Sequence, residues 1–264
     1  RDSGGNFHSL ADSSRGGFQE IYTNSNSAQA TQGGAIRKFL KGGFDVGNAG
    51  NWNNVGNQMV SWNWVGNNGT TATNNDGSVA STVQANTTAG FSIIQATAPA
   101  SGNFTIGHGL SSPPQFFWLK MTGTSGNWVT YHHKVSTVSG EYLLMDSNAA
   151  VATASNAWGS AIPSSSVIGL GAGSSVTGSQ PFVIHAWHEV EAFSKFGIYT
   201  GNGSGATTPN FVYTGFAPSF VLIKQSSGGS VGTGDSDWML FDNVTDFNRA
   251  DYRNYLRPNL ANAA

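Results

Sequence analysis

The chain has no cysteine, and only 10% of its 264 residues are charged, against about a quarter in an ordinary soluble domain. The first absence removes disulfides and thiol chemistry from consideration. It leaves the compartment open, although it suits a particle assembled in a reducing cytoplasm and exposed afterwards. The second, with a formal net charge of −2, leaves no basic footprint for nucleic acid or an anionic membrane. No apolar run approaches the ~18 residues of a transmembrane helix, so no membrane insertion is expected. The first residues do not read as a signal peptide. Helix is scarce as well: only residues 35–40 lean that way, and Gly42-Gly43 ends them.

What the chain does have is turn-forming and aromatic residues. Thirty-five glycines with abundant Ser, Thr and Asn supply the turns of an all-β protein built from many short strands. Hydrophobic content is 38%, with 16 Phe, 8 Trp and 7 Tyr, which argues against disorder. A chain of this length can bury one sizeable core or two. Strands are expected over residues 92–95, 116–121, 127–132, 142–145, 167–170 and 182–190. Further ones are expected over 198–200, 210–213, 220–224 and 238–241, since each run is aromatic or β-branched and bounded by Gly, Pro, Ser or Asn. The number and spacing predict antiparallel sandwiches of the jelly-roll or concanavalin-like kind.

An internal echo organises these strands. Pro114-Gln115-Phe116-Phe117-Trp118-Leu119-Lys120 returns as Pro218-Ser219-Phe220-Val221-Leu222-Ile223-Lys224. Each copy is followed by a Trp, at Trp128 and Trp238, and Phe7 stands in the matching place near the start. Glu20-Ile21-Tyr22, Glu141-Tyr142-Leu143 and Asn254-Tyr255-Leu256 run in parallel behind them, and Met59-Val60-Ser61-Trp62-Asn63-Trp64 matches Phe182-Val183-Ile184-His185-Ala186-Trp187. A long fixed period is the mark of a tandem array. The expected division is 1–66 as the later part of one sandwich repeat, 67–89 as a polar linker, 90–196 as a complete repeat, and 197–264 as the earlier part of another. Beginning at Arg1 within a repeat, the chain is expected to be a piece of a longer protein. A composite domain made from 1–66 and 197–264 is a second possibility.

Candidate chemistry is sparse. His185, His188, Glu189 and Glu191 are the densest cluster, with His185, Glu189 and Glu191 on one face of an extended strand. His185 aligns with Trp62 and Trp187 with Trp64, which favours a packed surface over a metal or catalytic site. His132 and His133 give way to Asp242 and Asn243 in the later copy and read as solvated strand-end residues. Asp235, Asp237, Asp242 and Asp246 lack the register of a calcium loop. Gly201-Asn202-Gly203 reads as a hairpin turn. Lys120 and Lys224 are expected to lay their aliphatic stems over apolar surface with the ammonium in water. Trp52 and Trp158, in polar loop-like contexts, are the ligand-binding candidates. No catalytic residue, metal or cofactor is expected.

The words around Glu189-Val190-Glu191-Ala192-Phe193-Ser194-Lys195-Phe196-Gly197-Ile198-Tyr199-Thr200-Gly201-Asn202-Gly203 and Phe211-Val212-Tyr213-Thr214-Gly215-Phe216 resemble a repeat family of virion proteins from tailed, especially marine, bacteriophages. The resemblance takes in Met59 to Trp64 and Asp12-Ser13-Ser14-Arg15-Gly16, and so nearly the whole chain. It departs at Ala192, where Gly is usual, and at His185, where an aromatic is usual. Such membership implies a non-enzymatic, surface-exposed virion component: a tail-fibre, receptor-binding or adhesin protein touching host glycans. Other virion proteins and further copies of the chain would be its partners. The alternatives are a capsid decoration protein and, from another class, the carbohydrate-binding module of a glycan-degrading enzyme.

Overall fold

The computed structural model of the protein describes residues 7–48, 50–57, 59–159, 161–174, 176, 178–203, 208–228, 236–243 and 255–261. Its first segment carries β1 (Ser9–Leu10), β2 (Gln19–Tyr22), β3 (Ala30–Thr31), β4 (Ile36–Leu40) and β5 (Gly43–Val46), then a single helical turn, α1 (Gly50–Asn53). The middle carries β6 (Ala72–Asn74), β7 (Ser81–Asn86), β8 (Phe91–Thr97), β9 (Phe104–Gly107), β10 (Phe116–Met121) and β11 (Val129–His132). It continues with β12 (Glu141–Leu144), β13 (Ala152–Thr153), β14 (Val167–Leu170) and β15 (Pro181–Trp187). The last segment adds β16 (Phe220–Ile223) and β17 (Met239–Asp242). Pairings between these strands are antiparallel.

One eight-stranded sheet, in the order β13-β12-β11-β10-β15-β8-β7-β6, dominates the fold. Alternation along β10 and β15 sends Phe117, Leu119, Phe182 and Ile184 to one face. There the two-stranded sheet of β9 and β14 covers them with Phe104, Ile106, Ile168 and Leu170. This is the sandwich core. Phe116, Trp118, Val183 and Trp187 point to the other face, where Ile21, Leu10, Trp238 and Leu222 of the flanking segments cover them. With both faces covered, β10 and β15 read as continuous apolar runs, the pattern of a strand buried on both sides. The all-β, antiparallel sandwich expectation holds.

Three local expectations are corrected. Residues 67–89 do not form a linker, because β6 and β7 form a hairpin that extends the main sheet. Polar Thr, Gln and Asn hid the alternation there; Val83 and a fully bonded Gln84 are buried all the same. Residues 36–40 of that stretch are the strand β4, paired with β5 through the turn at Gly42, whose φ of 89° suits glycine. Residues 198–200 and 210–213, expected as strands, belong to no strand. No helix among the described residues is long and apolar enough to cross a membrane.

Candidate functional site

The sequence echo reappears as hydrogen bonding. The backbone N–H of Trp128 donates to Asp146 Oδ1 at 3.1 Å and that of Trp238 to Asn259 Oδ1 at 3.0 Å. In the first segment the same bond runs from the N–H of His8 to Asn24 Oδ1 at 3.0 Å. His8, not Phe7, is therefore the counterpart of the two tryptophans, and Phe7 instead stacks on Tyr22 at 4.5 Å. Likewise β2–β3 and β12–β13 share one register, Gln19↔Thr31 and Glu20↔Ala30 matching Glu141↔Thr153 and Tyr142↔Ala152. Glu141 thus matches Gln19, one residue away from the sequence alignment.

Between segments the echo becomes a joint. Trp128 Nε1 donates to the carbonyl of Tyr22 at 2.8 Å, and Trp238 Nε1 to the carbonyl of Leu144 at 2.8 Å. Lys120 Nζ donates to the carbonyls of Asn26, at 3.0 Å, and Gly126. Lys224 Nζ donates to those of Asn148 at 3.1 Å and Ser236 at 2.6 Å, and also to Gln225. Asn26 and Asn148 each lie two residues beyond the matching Asn24 and Asp146, so the same donors meet the same acceptors twice. The Lys120 side chain is completely buried, with Nζ 6.0 Å from the Trp128 ring. Its ammonium does not snorkel to water as expected. Burial lowers its pKa to about 8, with Asp146 opposing the drop.

A second buried polar group pins the first segment to the sheet. Asp12 Oδ2 accepts from Arg15 Nε at 2.6 Å and lies 3.1 Å from His185 Nε2, while its Oδ1 accepts from the Arg15 backbone N–H. Burial pushes the Asp12 pKa up, but Arg15 and His185 more than offset it and hold the carboxyl well below its usual range. Beside it, Gln84 Nε2 donates to the hydroxyls of Ser13 and Ser14, and its Oε1 accepts from the backbone of Asn67 and Gly69. Sequence reading passed over Gln84. The only available signal was a polar residue where strand alternation wants an apolar one.

The sequence-expected site residues are dispersed. Trp158 lies in the sandwich core, 1% exposed, its Nε1 bonded to the carbonyl of Glu141 at 3.0 Å; no face is left for a ligand. Trp52, on α1, is half-buried and donates to Glu20 Oε2 at 2.6 Å, where the Tyr22 hydroxyl also bonds Glu20. His185 is committed to Asp12, whereas Glu189 pairs with Lys195 at 2.9 Å and His188 lies near Ser111. Among the described residues no group of three or more His, Asp or Glu side chains is placed to hold a metal. His132 is half-buried rather than solvated, and burial with the neighbouring His133 lowers its pKa to about 4. Asp237 is buried and bonds Arg257 and Asn259; Asp235 and Asp246 lie outside the described residues.

Among the described residues two open depressions stand out. One is lined by Phe18, Arg37, Val46 and Asn53; the other lies between residues 189–195 and 213–216. The second brings Glu189, Glu191, Ser194, Lys195 and Thr214 to its walls, with Glu189 engaged by Lys195 at 2.9 Å. The surface also offers aromatic side chains, with Phe211 84% and Tyr213 79% exposed.

Fold and site together define an all-β sandwich protein whose buried polar side chains join its segments to one another. The chain belongs to the family described as a domain of unknown function, DUF7483, which it matches over residues 1–264. No curated protein and no solved structure matches it.

Proposed function

We propose that the protein is a non-catalytic structural component of a phage particle, acting as a tail-fibre or receptor-binding element that meets host-surface glycans. The observation that carries this reading is the use made of the buried polar side chains. Buried Lys120, Asp12, Glu20 and Asp237, with half-buried Lys224, all bond other parts of the same chain. Such bonds tie the segments into one scaffold. It presents outward the polar Gly/Ser/Thr/Asn loops and exposed aromatics that suit hydrogen bonding and stacking against sugars. The phage assignment itself rests on the resemblance of the repeated words. Other virion proteins and further copies of the chain are the partners this reading supplies.

The test combines two measurements on the purified chain. Binding to bacterial surface glycans on an array, without release of reducing sugar from the bound polysaccharide, is the expected result. Reducing-sugar release would replace the structural reading with an enzymatic one. Imaging intact particles with this protein labelled should place it on the tail; a label on the capsid lattice would make it a decoration protein.

A further inference from the structure

The two ends of the chain carry complementary halves of the arrangement that the middle completes. The first half is β5. Gly47 donates its N–H to the Ala35 carbonyl at 2.8 Å, as Gly171 does to Ala157 at 3.1 Å. A Cβ on Gly47 would stand 2.4 Å from the Gly34 carbonyl oxygen, and one on Gly171 2.2 Å from that of Asn156. Ala35 and Ala157 are both buried. Gly43–Val46, which runs into Gly47, is thus the counterpart of β14, which runs into Gly171. Among the described residues β5 pairs only with β4, so its other edge is open.

The second half is residues 211–214. Asn210-Phe211-Val212-Tyr213 repeats Asn103-Phe104-Thr105-Ile106, and in each case a Gly and an apolar residue follow before the Pro that precedes β16 or β10. Phe104 and Ile106 are core residues because β9 pairs with β14, Ile168↔Ile106 and Leu170↔Phe104. Phe211 and Tyr213 stand open to solvent in the structure, and Ile198 nearby is 59% exposed.

A contact already joins the two halves. Trp64 lies 5.8 Å from Phe220, as its counterpart Trp187 lies 5.6 Å from Phe116 in the finished sandwich. The tethers are also of similar length. Val46 precedes Met59 by 13 residues (59 − 46), and Leu170 precedes Phe182 by 12 (182 − 170).

We infer that residues 211–214 dock on the open edge of β5 of the same chain, building a second, composite sandwich from the first and last segments. The pairing follows the β9–β14 register, with Phe44 opposite Tyr213 and Val46 opposite Phe211. The occupant of the exposed aromatic face is therefore the chain's own first segment, delivered by the Trp64–Phe220 contact.

A chain without cysteine makes the test direct, because any disulfide must come from introduced residues. Facing residues of an antiparallel pair stand about 4.5–5.5 Å apart at Cα, within the reach of a disulfide. In F44C/Y213C both sites lie outside the buried core of the main sandwich, which is retained, and the Val46–Phe211 pair of the inferred register is kept. Mild oxidation should consume both thiols while the chain runs as a single unlinked species on a non-reducing denaturing gel. The out-of-register pair K41C/Y213C should keep its thiols under the same conditions. A disulfide-linked dimer would assign the face to a second copy and overturn the inference. So would free thiols in F44C/Y213C, or equal oxidation of both pairs.

Discussion

Trp238 donates its indole N–H to the carbonyl of Leu144 at 2.8 Å, and the partners are 94 residues apart in sequence. Trp128 repeats the bond to Tyr22 across 106 residues. Replacing either tryptophan by phenylalanine removes the donor, leaves a buried carbonyl without it and opens space in the face packed by Ile21, Leu143 and Trp187. Each substitution should cost about 2–3 kcal/mol of unfolding free energy in urea titrations. If the two joints are independent, the double variant should show the sum.

The Asp12–Arg15–His185 group makes a different forecast. Asp12→Asn leaves the nearly buried Arg15 guanidinium without its anion, and should cost about 3–5 kcal/mol at neutral pH. The folded-state pKa of Asp12 lies below its unfolded value. Its stabilising share is therefore complete above about pH 4 and is lost as pH falls through the folded pKa. Stability of the parent chain should drop on acidification below about pH 4, and the gap to Asp12→Asn should narrow in step. Thermal melts from pH 7 down to pH 2 would show it; a gap that stays constant would remove Asp12 from the account.

His132 titrates in a separate window. Its folded pKa of about 4 lies below the ordinary 6.5, chiefly through burial and then through His133. Between these values the unfolded chain binds the extra proton, so unfolding becomes easier as pH falls from 6.5 towards 4. The ring proton shifts of His132 should stay at their neutral values until below pH 5. An imidazole titrating near 6.5 would contradict the burial described.

Ala192 adopts φ 59°, in the left-handed region that L-residues enter at a cost. Ala192→Gly should stabilise the protein by about 0.5–1 kcal/mol: relief of the strain exceeds the added freedom of glycine in the unfolded chain. Differential scanning calorimetry would register a small upward shift in Tm.

The all-β class, β10, β14 and most of β15 were legible in the sequence because their aromatic and β-branched runs are long and sharply bounded. β6 and β7 were not, since Thr, Gln and Asn occupy their faces and Gln84 replaces apolar packing with hydrogen bonds. The role of Lys120 was hidden for another reason. Its acceptors are carbonyls of Asn26 and Gly126, and main-chain oxygens leave no trace in residue identity. Trp158 misled through its neighbours: a Ser- and Asn-rich stretch turns its indole inward on the sandwich. The repeat showed that counterparts exist, but placing them to the residue required the bonds, as His8 and Phe7 illustrate.

Those main-chain acceptors carry one more implication. Tyr22-Thr23-Asn24-Ser25-Asn26 and Leu144-Met145-Asp146-Ser147-Asn148 differ at most positions, yet both present the same oxygens to a Lys and a Trp. The joint therefore constrains the donor side and the shape of the receiving loop, with little hold on the receiving side chains. Segments joined in this way are interchangeable parts: one can be duplicated, replaced or given new surface residues without redesigning its neighbour.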